Sequence, residues 1–255
     1  MTKFAQGNDG VHIAWEEAGV GAPLVLIHGF ASDRVQNWRA PGWYETLTGA
    51  GRRVIALDCR GHGESGKPHD PAFYGDRMVD DVVAVMIAAG VDAADVMGYS
   101  MGGMLTMGLA MRHPPLVRRA VIAGVGASYF HEAGIRRHAI ADALETADPA
   151  TLTDPVQKQF RLFAGQAGKD LAALAACMRR ERTVYTREQL QTWQGAVLVV
   201  CGERDTLTGT PDGLAEAFAH GRAVTVPHRD HMTAVGDKVY KQAVLEFLAA
   251  PAAMA

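Results

Sequence analysis

The stretch VPHRDHMTAVGD, residues 226–237, carries two histidines three apart, with Asp230 beside the second. These residues suit a catalytic base, half of a metal clip or an ordinary polar loop. A metal pair is disfavoured, since no source of further ligands is evident at metal-type spacing. A histidine base needs a group to deprotonate and an acid to orient it. GYSMGG, residues 98–103, offers the first. It follows an apolar run and opens a helix-like one, and it fits the pattern G-x-S-x-G. A serine on a sharp strand-to-helix turn sits in a strained backbone and needs small neighbours, here Gly98 and Gly102. The helix start also aims N–H groups and positive dipole at a developing oxyanion. The plainer alternative is a glycine-rich turn whose serine caps the helix.

The acid is expected next in the chain, before the histidine. VVCGERDTLTG, residues 199–209, ends an apolar run in a polar loop. Asp205 is the better acid there, with Glu203 as rival and a turn aspartate as the plain alternative. The order Ser100, Asp205, His231 is then satisfied, with His228 the alternative base. An early loop should complete an oxyanion hole. In IHGFASD the backbone N–H of Phe30 is the candidate, paired with that of Met101, while Gly29 permits close approach. His28 reads as structural. Met104, Tyr129 and Phe130 are candidates for the substrate-binding lining, along with Phe30 and Met101. Ordinary core packing explains each of them equally well.

Elements that would hold these residues are visible in the patterning. KFAQGNDGVHIAWEEAG reads as a β-hairpin around NDG. Six short apolar runs follow, at 23–28, 52–58, 94–99, 118–124, 195–202 and 222–227, suited to strands buried on both faces. Helix-like segments lie between several of them, at 78–90 and 101–114, and a terminal amphipathic one spans 236–250. The alternation predicts an α/β fold with a mostly parallel eight-stranded sheet flanked by helices. Residues 128–190 break the rhythm with helical patterns and no strand. They are expected to form a small helical cap inserted after the sixth strand, leaving 1–127 and 191–255 as the core.

The 255 residues suffice for one large domain, with 48% hydrophobic and 21% charged residues and a formal net charge of −3. Nothing in that balance favours nucleic acid or an anionic membrane as partner. No apolar run reaches membrane-spanning length, and the start MTKFAQGNDG has no signal-peptide core. A cytoplasmic location is the expectation. Cys59, Cys177 and Cys201 are odd in number and read as reduced thiols.

HGF after a strand, DCRGHGESGKP (58–68), GYSMGG, GERD and a late histidine before a terminal helix together resemble the α/β-hydrolase superfamily. The resemblance runs from about residue 11 to 250, the helical insert excepted. It implies Ser100 as nucleophile, Asp205 as acid, His231 as base, and the N–H groups of Phe30 and Met101 as oxyanion donors. It implies no metal and no organic cofactor. DCRGHGES resembles a structural turn, so Asp58, Arg60 and His62 stay outside the site. One departure stands out. The family usually carries glycine three residues before its catalytic histidine, where this chain has His228. A serine at the elbow, in place of aspartate, points to acyl transfer. The expectation is a serine hydrolase that cleaves small carboxylic esters. Lactone, meta-cleavage carbon–carbon bond, perhydrolase and aminopeptidase chemistry share the same triad. A ligand-sensing receptor is the alternative from another class.

Overall fold

Residues of β3 alternate between two hydrophobic cores, which is what a strand covered on both faces must do. Leu24 and Leu26 join one cluster with Trp43, Tyr240 and Phe247. Val25 and Ile27 join the other with Val82, Leu105 and Leu109. The computed structural model describes residues 1–131, 135–166 and 168–250. In chain order its main elements are β1 (Lys3–Gln6), β2 (His12–Ala18), β3 (Ala22–Ile27), α1 (Trp43–Gly49), β4 (Arg52–Leu57), α2 (Arg77–Ala88), β5 (Ala94–Tyr99), α3 (Met101–Arg112), β6 (Val117–Ala123), α4 (Ile135–Glu145), α5 (Pro155–Ala164), α6 (Leu171–Arg179), α7 (Arg187–Gln191), β7 (Ala196–Gly202), α8 (Asp212–Ala215), β8 (Gly221–Val226) and α9 (Lys238–Ala249).

The eight strands form one sheet in the order β1-β2-β4-β3-β5-β6-β7-β8. The pairs β1–β2 and β2–β4 are antiparallel, and all later pairs are parallel. The hairpin and the six apolar runs thus become the eight strands expected. Because β3 and β5 to β8 run the same way, the loops that follow them emerge along one edge. In open α/β sheets that edge is where ligand sites lie.

Between β6 and β7 the described residues hold four α-helices and no strand. α4 packs on both α5 and α6. Local signals start these helices. Asp154 caps α5 by accepting the Gln157 N–H, and Pro155 takes the first helical position. Asp170 caps α6 by accepting the Ala173 N–H. Thr186 and Gln189 form a reciprocal capping box on α7. Part of the helical pattern expected from residue 131 onward, residues 132–134, lies outside the described residues. Among those described, no helix is long and apolar enough to cross a membrane. All three cysteines are buried and free.

Candidate active site

Ser100 sits in the turn between β5 and α3 with φ 54° and ψ −111°. A non-glycine residue there is strained, and its surroundings must hold it in place. The Ser100 N–H donates to the Ala123 carbonyl at 2.7 Å, and the Ser100 carbonyl accepts the Met104 N–H at 3.1 Å. A Cβ at Gly98 would run into the Gly102 carbonyl, and one at Gly102 into the Ile27 carbonyl. Both glycines are therefore demanded by close backbone approach, since β5 lies between β3 and β6 and α3 turns back over it.

His231 follows β8 and Asp205 follows β7. Two contacts bring the two loops together, and a third ties the His231 loop to β5. The Glu203 N–H donates to the Val226 carbonyl at 2.9 Å and the Arg204 N–H to the Arg229 carbonyl at 2.8 Å. From β5, the Tyr99 hydroxyl donates to the His231 carbonyl at 2.6 Å. The result is a row of side chains. His231 Nε2 lies 3.0 Å from Ser100 Oγ. His231 Nδ1 lies 2.7 Å from Asp205 Oδ2. Asp205 Oδ1 accepts the N–H groups of Leu207 and Thr208 at 3.0 and 3.1 Å, leaving Oδ2 for the imidazole. Burial would push the Asp205 carboxyl up. The hydrogen bond and charge of His231, with help from Thr208, outweigh burial and hold it below the ordinary aspartate range. With Asp205 accepting at Nδ1, the imidazole carries its proton there and turns Nε2 to the serine as an acceptor.

The loop after β3 runs against the serine. At Gly29 a Cβ would come within 3.5 Å of Ser100 Cβ. Neither the Phe30 nor the Met101 N–H donates to another described residue. His28 is fully buried. Its Nε2 accepts the Cys59 N–H at 2.9 Å, so Nδ1 donates to the Gly29 carbonyl at 2.7 Å. It ties the β3 loop to the β4 loop and does not face Ser100. The DCRGHGES turn is likewise bound up internally. Asp58 pairs with Arg34 and accepts the Glu64 N–H, while Arg60 grips Asp81 and Asp9. No group of described His, Cys, Asp and Glu residues is placed to hold a metal ion.

The rival groups point elsewhere. Glu203 is exposed and accepts the His228 N–H at 2.7 Å. Asp230 folds its carboxylate back on the N–H groups of Met232 and Thr233. His228 has φ 60°, the left-handed region that favours glycine. Glycine would adopt this bend without strain, although the residue here is histidine. The side chain is 75% exposed and pairs with Glu203. His228, the alternative base, thus lies at the surface beside Glu203 and borders neither cavity at Ser100.

Two cavities meet at Ser100. One, of about 160 Å³, lies under the helices of the 128–190 segment. The other, of about 210 Å³, opens toward Gln36, Asn37 and Met232. Phe30, Ser100, Phe160, Leu207 and His231 border both. Met101, Met104 and Tyr129 border the first. Phe130 borders neither. It follows Tyr129 in a short turn and faces away, with its ring under the Arg187 guanidinium at 4.2 Å. Sequence reasoning missed Phe160 on α5, which forms the wall between the two cavities. The Asp154–Pro155 start and the apolar spacing of PVQKQFRLFA would have found its helix. It also missed Arg137, Arg180 and Arg182, all on the first cavity's wall.

A family model for the alpha/beta hydrolase fold matches residues 22–175. The chain belongs to this family. It is 37% identical over 115 residues to 2-hydroxymuconate semialdehyde hydrolase of Pseudomonas sp. (strain CF600), covering 45% of this chain and 40% of that relative. The chain thus spans less than half of that protein's length. Among solved structures, a hydrolase from Pseudomonas aeruginosa superposes with a TM-score of 0.82 at 28% identity, over 98% of each chain. The enol-lactonase from Burkholderia xenovorans LB400 superposes with a TM-score of 0.74 at 25% identity, over 97% of this chain and 100% of that one.

Proposed function

We propose that the protein is a serine hydrolase that cleaves small carboxylic esters through an acyl-enzyme on Ser100. The observation that carries the reading is the hydrogen-bonded row Ser100–His231–Asp205, at 3.0 and 2.7 Å. In this mechanism His231 Nε2 takes the Ser100 proton as Oγ attacks the ester carbonyl. The Oγ–acyl bond forms, and the carbonyl electrons move onto oxygen. The N–H groups of Phe30 and Met101 are the donors for that oxyanion, each worth roughly 3–4 kcal/mol to such a transition state. The carbon–alkoxy bond then breaks, and His231 hands its proton to the leaving alcohol. Water, deprotonated by the same imidazole, attacks the acyl-enzyme and releases the acid. Asp205 keeps the imidazole in the right tautomer and stabilises its charged form. The acid's protein donors, Leu207 and Thr208, fix its orientation.

The two cavities support a two-part substrate, with acyl and alcohol portions to either side of Ser100. Their modest size and mostly apolar walls suit a small or medium ester. Hydrolysis of short p-nitrophenyl esters tests the proposal. Wild-type protein should turn them over and Ser100→Ala should not. Equal activity of the two, or equal inertness across a broad ester panel, would count against it. A second reading, cleavage of a carbon–carbon bond beside a carbonyl, is favoured by the likeness to a 2-hydroxymuconate semialdehyde hydrolase. It uses the same serine and is separated from the first by the substrate accepted.

A further inference from the structure

Three guanidinium groups, Arg137, Arg180 and Arg182, line the 160 Å³ cavity. No described carboxylate lines it with them, and none of the three forms an ion pair with a described residue. The remaining walls are mostly apolar, with Ile140, Val156, Phe160 and Met178 among them. Charges in such surroundings are costly unless something compensates them. Part of the donor capacity is used on backbone. Arg137 Nε and Nη2 donate to the Met178 carbonyl at 3.2 and 3.0 Å, and Nη2 also reaches the Arg180 carbonyl. Arg180 donates to the Cys177 carbonyl. These carbonyls satisfy hydrogen bonds but neutralise no charge. Arg182 meets no oxygen acceptor among the described residues. One nitrogen touches Met104 Sδ, a weak acceptor, and its Nε is buried without a partner. Its guanidinium lies over the Tyr129 ring at 5.5 Å. Burial, then the neighbouring Arg180 and Arg182 charges, push the Arg137 guanidinium down to about 10. The three positive charges thus work against one another in a cavity that ends at Ser100.

We propose that the substrate carries a carboxylate remote from the bond that is cut, held in this cavity by Arg182 and Arg180 with Arg137 behind them. This rests on the reading of Ser100 as nucleophile and names the substrate class for that site. A planar carboxylate matches the forked donors of a guanidinium, and its charge offsets the repulsion among the three. The neutral cavity beside Gln36 and Asn37 would take the other half of the ester.

The test uses two matched pairs of esters. One pair places the charge in the acyl half: p-nitrophenyl hydrogen adipate and its methyl ester. The other places it in the alcohol half: 3-acetoxybenzoate and its methyl ester. The ratio of kcat/KM, charged over neutral, is measured for wild type, Arg182→Met and Arg182→Lys. Wild type should favour the charged member of one pair by about 10- to 100-fold, the range of a charge-assisted hydrogen bond. Arg182→Met should collapse that ratio toward one, and Arg182→Lys should restore part of it. Ratios near one in both pairs would overturn the proposal, as would a preference that Arg182→Met leaves intact. Calorimetric titration with adipate and with 3-hydroxybenzoate reads the same site without turnover. Binding that weakens at least tenfold in Arg182→Met supports it, and absence of binding for both contradicts it. Fluorophosphonate labelling reports separately on Ser100. If Ser100 fails to label, the hydrolase reading falls while the titration still judges the anion site.

Discussion

Arg60, in the turn after β4, and Arg182, between α6 and α7, are both largely withdrawn from water, yet only one has carboxylates around it. Arg60 is 1% exposed and makes a forked pair with Asp81, 2.6 Å at each tooth, plus a bond to Asp9 at 2.7 Å. Arg34, Arg52 and Arg119 follow the same rule, pairing with Asp58, Asp95 and Asp95. In the sheet domain each of these buried cations has a carboxylate partner supplied by the fold itself, with Arg52 and Arg119 sharing Asp95. In the helical segment the three cations share a cavity and find no carboxylate among the described residues. The lesson is a division of labour. The sheet and its edge loops are self-sufficient and hold a preorganised row of groups for chemistry. The helical segment leaves charge unspent, and that charge is available to a ligand.

Substitutions can break this contrast at either end. The largest effect is expected on the sheet side. Ser100→Ala should lower kcat by about 10⁴-fold or more on charged and neutral esters alike, because removal of the nucleophile leaves only binding and the oxyanion site. Steady-state rates on both ester types check it. Next comes the buried pair. Asp81→Asn leaves Arg60 short of its compensating charge and should cost about 3 kcal/mol of stability, as the denaturant midpoint would show. Arg182→Met sharpens the comparison from the other side. It removes a charge that the fold does not compensate, so stability should change by less than about 1 kcal/mol in the same assay, or rise. A loss as large as that of Asp81→Asn would erase the distinction between the two regions. The smallest effect is at His228. Replacing it by glycine relieves a left-handed backbone position and should raise stability by up to about 1 kcal/mol, offset by some loss of chain stiffness in the unfolded state. Ester turnover should persist in His228→Gly and vanish in His231→Ala, since only His231 reaches Ser100.

The same contrast explains what could be read from residues alone. The strands were legible because a strand covered on both faces must be apolar throughout, and each such run stands out. GYSMGG was legible because two glycines flanking a serine after a strand have few other physical reasons to be there. Asp205 was legible because it ends an apolar run. Phe130 misled because Tyr129 and Phe130 are adjacent and chemically alike, and one turn decides which of them faces the cavity. The arginines were illegible for a deeper reason. RRER in a helical segment is the composition of any solvated face, and its burial depends on how α4, α5 and α6 pack against the sheet. Periodicity reports which face of a helix is apolar, but not which polar side chain the packing will trap.

The central claim is that Ser100 is a nucleophile activated by His231. Intact-mass analysis after treatment with a fluorophosphonate tests it most directly. Wild-type protein should gain one adduct, mapped to Ser100, and lose ester hydrolysis in step. His231→Ala should label far more slowly, and Ser100→Ala should not label at all. An unlabelled wild-type protein, or an adduct that forms equally well in Ser100→Ala, would contradict the account.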